Sequence, residues 1–467
     1  MKRLRLFVLA LLGAWFWGAV AADAPAIVQH TLPNGMQVIV KVDRRAPTAV
    51  HMVWVRVGSM DEVDGKTGIA HVLEHMLFKG TDTLAPGEFS RRVAALGGRE
   101  NAFTSRDYTG YFQMIPAERV PDVMRLEANR FAHNRWSDEE FAKEIEVIKE
   151  ERRMRTEDVP RAALQEQMAA VQFSASPYRR PIIGWMNDLD NLRPDEVRQF
   201  FRQWYVPGNA TVVVVGDVEP EQVWKWANDI YGVIPAAAVP DRKPREEPPQ
   251  KGMRRLQFKA PAEQAYLTLS WKVPGLESLE PSAQTTDALA LTVLSALLDG
   301  YSGARLDRQL TQGAKRVADS AGAYHDLSAR GPKVFVLNGV PAPGKTLDQL
   351  EQALRAEITR IARDGVNEAE LRRVKTQWTA AQVYGRDSLF NQAREIGTWW
   401  IEGLPIDTSD RLIEMLNNVT AQQVQEVARR YFGDDNLTVA QLLPQPIDKT
   451  AAKRPAVQLR QIGRAHV

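Results

Sequence analysis

The sequence lacks cysteine altogether, and histidine occurs only seven times in 467 residues. Without cysteine the chain cannot form disulfide bonds, cannot be anchored as a lipoprotein, and offers neither a thiol nucleophile nor a thiolate metal site. Any metal must therefore be held by histidine, aspartate or glutamate. The lack of cysteine is compatible with an oxidising compartment but does not identify one.

The sequence also has no excess of charge of either sign. Lysine and arginine number 60 against 58 for aspartate and glutamate, and three of the basic residues lie within the first 21 positions. This balance argues against a basic surface of the kind that binds nucleic acid. With 44% hydrophobic and 25% charged residues, the composition is that of a folded protein long enough for two to four domains.

The apolar run near the N-terminus is too short for a membrane span. Basic residues at positions 2, 3 and 5 precede a stretch from Leu6 to Trp17, shorter than the roughly 20 residues that cross a bilayer. Ala19 and Ala21 then form a small-x-small cleavage pattern. This pattern predicts a secretory signal peptide over residues 1–21 and an exported protein, periplasmic in a Gram-negative source and not inserted in the membrane after cleavage. An uncleaved N-terminal anchor is the alternative.

A helix-to-strand unit occurs twice along the chain. The stretches VRQFFRQWYVPGNATVVVV and VQEVARRYFGDDNLTVAQL align Tyr205 with Phe432 and Asn209 with Asn436, and both pairs lie 227 residues apart. A period of this length predicts a duplicated domain. The last five residues, GRAHV, differ in character from the rest and need not be native. We expect one domain over residues 27–235, a proline-containing linker over 236–255, a second domain over 256–445 and a loose tail over 446–467.

Local patterns indicate where several elements of the first domain lie. Alternating residues predict strands over residues 36–42 and 49–57, and helical periodicity starts at Gly68. A further helix is expected after Ser137, which is predicted to form a capping box with Glu140.

Two histidines within the first predicted helix have the spacing of a metal site. His71 and His75 are four residues apart, so both imidazoles leave the same helix face and can reach one ion. Glu74 comes with them, and its carboxylate is placed to accept a proton from a water molecule at the metal. The H-x-x-E-H pattern is specific but incomplete, because catalytic zinc usually has three protein ligands.

The third ligand must come from elsewhere, and the acidic helix after Ser137 offers candidates. Glu144 and Glu151 are seven residues apart, about two helical turns, on a face that also carries Ile148. A carboxylate beside a buried apolar stripe is costly unless it is paired or metal-bound. Glu151 is therefore the preferred third ligand, and Glu150 is the alternative.

Simpler explanations exist for the same residues. A histidine and glutamate cluster can belong to a solvated helix face, and the acidic helix can be a charged surface element. Four further histidines have no partner at ligand spacing and are expected at the surface or in the core: His30, His51, His133 and His325.

Together these motifs resemble the pitrilysin family of zinc peptidases with an inverted zinc motif. The resemblance is greatest to the two-domain branch, which includes mitochondrial processing peptidase and bacterial relatives, and it covers nearly the whole chain after the predicted signal peptide. The motifs that carry it are LPNGMQVIV at 32–40, GIAHVLEHMLFKGT at 68–81, LGGRENAFTSRDYTGY at 96–111, EIEVIKEERRMR at 144–155 and YVPGNATVVVVGDV at 205–218.

The resemblance implies a fold and a metal site. It implies an α+β fold of two homologous domains, each a mainly antiparallel sheet with helices packed on one face. One Zn²⁺ per chain is expected in the first domain, and residues 285–305, where the counterpart helix of the second domain should fall, contain no histidine. Glu151 is then the third ligand beside His71 and His75, with Glu74 as the general base and Glu144 as a supporting catalytic residue.

The resemblance also implies how substrate is bound. Members of the family bind it as an added strand along a sheet edge, and the matching residues here are Asn101, Ala102 and Phe103. An ordinary turn into a strand after Gly97 and Gly98 is the simpler alternative. The implied function is zinc-dependent endopeptidase activity on peptides or unfolded polypeptides inside an enclosed chamber. A non-catalytic structural or assembly subunit of the same fold is the alternative.

One departure from the family pattern bears on partner chains. Relatives that act alone or as homodimers have an arginine and a tyrosine seven residues apart in the second domain, which help bind substrate and polarise its carbonyl. Thr311 and Ala318 align with those positions here, and Arg316 and Tyr324 could replace them only under a different alignment. The resemblance therefore implies a heterodimer, in which a homologous partner chain supplies the pair, with a homodimer as the alternative.

Overall fold

The computed structural model describes residues 27–447, so the predicted signal peptide and most of the predicted tail lie outside the described residues. These residues form two β-sheets with helices around them, which confirms the predicted α+β class. The strands are β1 (Ile27–Thr31), β2 (Gln37–Val42), β3 (Thr48–Val55), β4 (Arg99–Thr104), β5 (Thr109–Pro116), β6 (Ala210–Gly216), β7 (Arg254–Pro261), β8 (Tyr266–Val273), β9 (Ala318–His325), β10 (Lys333–Pro341) and β11 (Leu437–Gln445). The α-helices are α1 (Ile69–Met76), α2 (Glu88–Ala95), α3 (Val120–His133), α4 (Asp138–Arg152), α5 (Pro160–Gln172), α6 (Met186–Asn191), α7 (Pro194–Trp204), α8 (Pro220–Ile230), α9 (Ala283–Asp299), α10 (Leu347–Asp364), α11 (Glu368–Gly385), α12 (Leu389–Glu402), α13 (Thr408–Asn417) and α14 (Ala421–Arg430).

The first sheet has six strands in the order β1-β2-β6-β3-β5-β4. The two strands predicted from alternation are β2 and β3. β2 and β6 run parallel, and the other neighbours are antiparallel. β6, with the sequence ATVVVVG, is buried along its whole length, as expected for a β-branched strand that is covered on both faces. β4 forms one edge of this sheet.

The second sheet, in the order β7-β11-β8-β10-β9, repeats the topology of the first sheet without β1. In each sheet one parallel pair is followed by three antiparallel pairings in the same order. Equivalent asparagines make equivalent bonds, because Asn209 Nδ2 donates to the carbonyl of Trp204 at 2.9 Å and Asn436 Nδ2 to that of Tyr431 at 3.1 Å. These shared features agree with the predicted duplication.

The first half of the chain comprises β1 to α8, and the second half comprises β7 to β11. Each sheet is covered on one face by helices of its own half and on the other face by one helix of the other half. Ile396 of α12 packs in one apolar cluster with Trp54 of the first sheet. Leu164 of α5 packs in a cluster with Tyr266 of the second sheet. The predicted packing of helices on one face of each sheet therefore holds for the helices of the same half. The opposite face, which the prediction left open, is covered by a helix from the other half. The exchange arises because both faces of these strands are apolar and must be covered.

The exchange bears on the predicted domain limits. The first sheet ends at Gly216 and the second begins at Arg254, and residues 235–253 between them contain neither helix nor strand. α5 and α12 each pack on the sheet of the other half. The domain limits at 27–235 and 256–445 therefore stay a proposal about which segments arose by duplication. Among residues 27–447, none of the helices is both long and apolar enough to cross a bilayer.

A glycine in α12 allows this helix to approach the first sheet. A Cβ at Gly397 would lie 2.1 Å from Cε2 of the buried Trp54 indole. We expect Gly397→Ala to lower the free energy of unfolding by about 1–3 kcal/mol, because overpacking a close contact forces side chains or backbone to shift. The change is measured as the urea concentration at the midpoint of unfolding.

Gly385, at the end of α11, provides the matched control, because no atom lies within 4 Å of a Cβ built there. Gly385→Ala should leave stability unchanged or raise it by up to about 1 kcal/mol, since alanine favours the helix. Equal midpoints for the two variants would contradict the packing argument.

Candidate metal centre

Helix α1 is buried throughout, and contacts from outside fix its first turn. Glu62 accepts hydrogen bonds from the main-chain N–H groups of Gly68 and Ala70 at 2.9 and 3.0 Å, which satisfies donors that a helix start leaves free. Gly68 has a φ of 87° and lies so close to Gly184 that a Cβ on either glycine would be 2.8 Å from the Cα of the other. These contacts fix the position of the helix that carries both predicted histidine ligands.

His71 and His75 lie close together on α1, as their spacing predicts. Their ring centroids are 4.7 Å apart, and both side chains are buried. Glu151 of α4 reaches this pair, with its Oε2 at 3.8 Å from His71 Nε2 and 3.4 Å from His75 Nε2. Two ligands of a tetrahedral zinc ion lie about 3.4 Å apart. The three side chains therefore stand close to the separations that one ion requires.

The N-terminal cap and the buried face of α4 place Glu151. Ser137 Oγ accepts a hydrogen bond from the main-chain N–H of Glu140 at 3.1 Å, so this half of the predicted capping box is present. Glu150, the alternative ligand, forms an ion pair with Arg153 at 2.9 Å. The structure thus brings Glu151 and not Glu150 to the two histidines. The buried residues of α4 are Phe141, Glu144, Ile145, Ile148, Glu151 and Arg152.

Glu144 orients the ring of His75. Its Oε1 lies 2.8 Å from His75 Nδ1, so Nδ1–H can donate to the carboxylate while Nε2 faces Glu151. The Lys79 ammonium pairs with Glu144 Oε2. Burial would raise the pKa of Glu144, but His75 and Lys79 outweigh it and lower this pKa. Glu144 therefore stays a carboxylate that can hold the imidazole.

The carboxylates around the two imidazoles make the site favourable for positive charge. Burial would lower the pKa of His75, but the hydrogen bond to Glu144 and the charge on Glu151 raise it to about 9. Burial would raise the pKa of Glu151, but the histidines and Arg155, which lies 2.6 Å from Glu151 Oε1, lower it to about 2. The field that favours a proton here favours a divalent cation for the same reason.

The two carboxylate oxygens of the buried Glu74 have different surroundings. Oε2 accepts a hydrogen bond from the hydroxyl of Thr104 at 2.5 Å, whereas Oε1 has no hydrogen-bond partner within residues 27–447. Burial, partly offset by the charge on His75, raises the pKa of Glu74 to about 7. A carboxyl group with a pKa near neutrality is suited to take up a proton and return it.

Zinc is the metal that the family resemblance implies, and the residues present fit it. Two imidazoles and one carboxylate are a ligand set of catalytic zinc, and their ligand atoms all lie within 4.8 Å of one another. The buried atoms Glu74 Oε1 and His75 Nε2 lack hydrogen-bond partners in the described part of the chain. Buried polar atoms are rarely left so, and a metal with its water would satisfy them.

Asn101, Ala102 and Phe103 lie in β4, at the edge of the first sheet. Among the described strands β4 pairs only with β5, where Ala102 stands opposite Tyr111. The side chains of Ala102 and Phe103 are buried in separate apolar clusters. The side chains of these two residues are therefore not accessible to a peptide, but their main-chain groups can pair with one. Strand addition requires only such main-chain hydrogen bonds.

The four histidines that were expected at the surface or in the core do not belong to the metal-ligand cluster. His51 is buried and lies 2.7 Å from Gln113 Oε1 through its Nδ1. His325 is buried in the second half, and burial lowers its pKa to about 4. His30 and His133 lie at the surface. The metal-ligand cluster found among residues 27–447 contains only His71, His75 and Glu151.

The positions aligned with the family's arginine and tyrosine have structural roles of their own. The hydroxyl of Thr311 donates a hydrogen bond to Oδ1 of Asp307, one helical turn earlier, at 2.6 Å. Ala318, at the start of β9, is fully buried. Of the alternative pair, Arg316 lies 3.2 Å from Asp319, and Tyr324 is exposed near the end of β9.

Three residues at the site were not predicted from the sequence: Thr104, Lys79 and Arg155. Arg155 follows Glu151 by four residues, a spacing that favours ion pairs on helices and could have identified it. Lys79 pairs with Glu144 of α4, so no local spacing predicts its place at the site. Thr104 reaches Glu74 only because β4 packs beside α1, so no local pattern predicts its contact.

Two family profiles match the chain. One, described as "Insulinase (Peptidase family M16)", matches residues 37–185, which include every residue of the candidate metal centre. The other, described as "Peptidase M16 inactive domain", matches residues 191–378. The candidate centre therefore lies in the part of the chain that does not match the inactive-domain profile.

Relatives support the same assignment over most of the chain. Zinc protease PqqE of Helicobacter pylori is 29% identical over 419 residues, which cover 89% of this chain and 92% of the relative. A probable mitochondrial-processing peptidase subunit beta of Arabidopsis thaliana is 25% identical over 437 residues, 90% of this chain and 79% of that one. A solved protease structure from Helicobacter pylori has a TM-score of 0.84 at 28% identity and covers 90% of this chain and 100% of its own. The predicted resemblance is confirmed, and the chain belongs to peptidase family M16.

Proposed function

We propose that this protein is a zinc-dependent endopeptidase that hydrolyses peptides or unfolded polypeptides. The observation that carries the proposal is the convergence of His71, His75 and Glu151, with Glu74 buried beside them. The relatives are named zinc proteases, and the zinc motif lies within residues 37–185, the part matched by the peptidase profile.

The proposed chemistry assigns one task to each residue. His71, His75 and Glu151 would hold a zinc ion, which would supply Lewis acidity to a water molecule and to the scissile carbonyl. Glu74 takes the proton of the attacking water and later delivers it to the leaving amine. Glu144 holds the His75 ring through Nδ1, so that Nε2 faces the metal position.

We propose that substrate is added as a strand along β4. The main-chain groups of Asn101, Ala102 and Phe103 in β4 lie at a sheet edge, and α1 packs beside the same strand. Main-chain hydrogen bonds bind a peptide regardless of most of its side chains. This mode suits unfolded polypeptides, whose backbone is accessible, better than folded proteins.

We further propose that the chain is the zinc-bearing subunit of a heterodimer, with a homodimer as the alternative. At the two aligned positions of the second half, Thr311 and Ala318 can supply neither a guanidinium nor a phenol, and Ala318 is fully buried. A homologous partner that lacks the zinc motif would bring the arginine and tyrosine, and the two chains would enclose the chamber.

Export is part of the proposal. The N-terminal pattern of basic residues, apolar stretch and Ala19–Ala21 cleavage site supports export and, in a Gram-negative cell, a periplasmic location. N-terminal sequencing of the protein from a periplasmic fraction tests the cleavage position, with Ala22 as the expected first residue.

One assay tests both the activity and the partner. The chain is incubated with a fluorescence-quenched peptide, alone and with a homologous chain that lacks H-x-x-E-H but has the arginine and tyrosine. We expect cleavage to rise at least about 10-fold with the partner, because substrate positioning and electrostatic stabilisation each contribute at this scale. A chelator should abolish the cleavage, and added Zn²⁺ should restore it.

The outcomes of this assay are separable. Full activity of the chain alone would exclude the heterodimer and leave the peptidase proposal intact. No cleavage by the zinc-loaded chain with its partner would instead favour the alternative of a non-catalytic structural or assembly subunit. Cleavage that no chelator removes would contradict the zinc-dependent mechanism.

A further inference from the structure

Thr104 connects the proposed substrate-binding strand with the proposed general base. It is the last residue of β4, directly after Phe103, and the residue is only 1% exposed. Its hydroxyl donates to Glu74 Oε2 at 2.5 Å. A hydroxyl has one proton to donate, and here that proton is used on the carboxylate of Glu74.

The contact makes the two oxygens of Glu74 unequal. Oε2 is held by Thr104, whereas the buried Oε1 has no hydrogen-bond partner among residues 27–447. An oxygen that already accepts a hydrogen bond is a weaker proton acceptor than its free neighbour. Threonine is also restricted at χ1 because it is β-branched, so the main chain of β4 determines where the hydroxyl lies.

We propose that Thr104 is a positioning residue, which holds Glu74 Oε2 so that Oε1 is the atom that receives the proton of the attacking water. Because Thr104 continues the strand of Asn101, Ala102 and Phe103, a peptide that pairs with β4 also orders the residue that orients the base. Substrate binding and base orientation are thus coupled through one strand. This inference rests on the proposed peptidase function.

The test compares Thr104→Val, which keeps the shape but removes the hydroxyl, with Thr104→Ser, which keeps the hydroxyl. In the zinc-loaded protein with its partner chain, Thr104→Val should lower kcat about 10- to 100-fold, the value of one hydrogen bond to a charged group. KM and zinc content should change less than about 2-fold, because substrate strand and metal ligands are intact. Thr104→Ser should restore kcat to within about 3-fold of the wild type.

Thr109 offers a matched control in the same hairpin. It pairs with Thr104 across β4 and β5, is fully buried, and donates its hydroxyl to the main-chain carbonyl of Val57 at 2.9 Å. Thr109→Val removes a buried hydroxyl without touching Glu74, so kcat should stay within about 2-fold of the wild type. An equal loss of kcat in Thr109→Val and Thr104→Val would assign the effect to the sheet and overturn the proposal.

A double variant tests whether Thr104 acts through Glu74. In a Glu74→Gln background, Thr104→Val should lower the remaining kcat by less than about 2-fold, because residues that act as a unit are not additive. A full additional loss, or wild-type kcat in Thr104→Val alone, would refute the inference. Thr104→Ala replaces Thr104→Val if the latter does not fold. No chelator-sensitive cleavage by the wild type would instead refute the peptidase function itself.

Discussion

Glu74→Gln is expected to lower kcat by about 10²–10⁴-fold, the usual contribution of a general acid or base. The amide has the shape of the carboxylate but cannot take a proton, and Glu74 is not among the clustered ligands His71, His75 and Glu151. Zinc content should therefore stay at one ion per chain. The rate is measured with a fluorescence-quenched peptide and the metal by elemental analysis of the same sample.

A buried glutamate of the second half is the control for this change. Glu357 is 2% exposed and pairs with Arg360. Glu357→Gln removes a buried carboxylate in α10 and should leave kcat within about 2-fold of the wild type, whatever its effect on stability. Hydrolysis at the wild-type rate in Glu74→Gln would remove Glu74 from its proposed role. Loss of zinc in that variant would instead assign it a part in metal binding.

Much of the candidate site could be predicted because it depends on local spacing. His71 and His75 share a face of α1 through the helical repeat alone. The apolar Ile148 on the same face of α4 favours Glu151 over Glu150 as the third ligand. In the structure Glu151 lies beside the histidines, whereas Glu150 pairs with Arg153. Short-range periodicity predicts which side chains share one face of a helix, but not which two helices meet.

Other features depend on tertiary contacts that no local pattern encodes. The apolar faces of α5 and α12 indicate burial but not against which sheet, so their exchange between the halves could not be foreseen. Thr104 meets Glu74 from a strand that is 30 residues away in sequence. The tight contact of Gly397 with Trp54 likewise becomes visible only when the two elements are seen together.

Glu151→Gln should lower the affinity for Zn²⁺ by at least about 100-fold, more than loss of a group that only supports a ligand, which costs about 10- to 100-fold. The amide carries no charge to offset that of the ion, and the two histidines alone leave it under-coordinated. Affinity is measured by competition with a chromophoric chelator on metal-free protein, so the result does not depend on activity.

The neighbouring Glu150 separates ligation from a general effect of charge on α4. Glu150→Gln removes the same charge one residue away, from a side chain that pairs with Arg153, and should leave the affinity for Zn²⁺ within about 3-fold of the wild type. If both variants lost affinity equally, the field of the acidic helix and not a bond from Glu151 would hold the ion. If neither lost it, the third ligand would lie elsewhere. Only a selective loss in Glu151→Gln agrees with an ion held between α1 and α4, the arrangement on which the proposed chemistry depends.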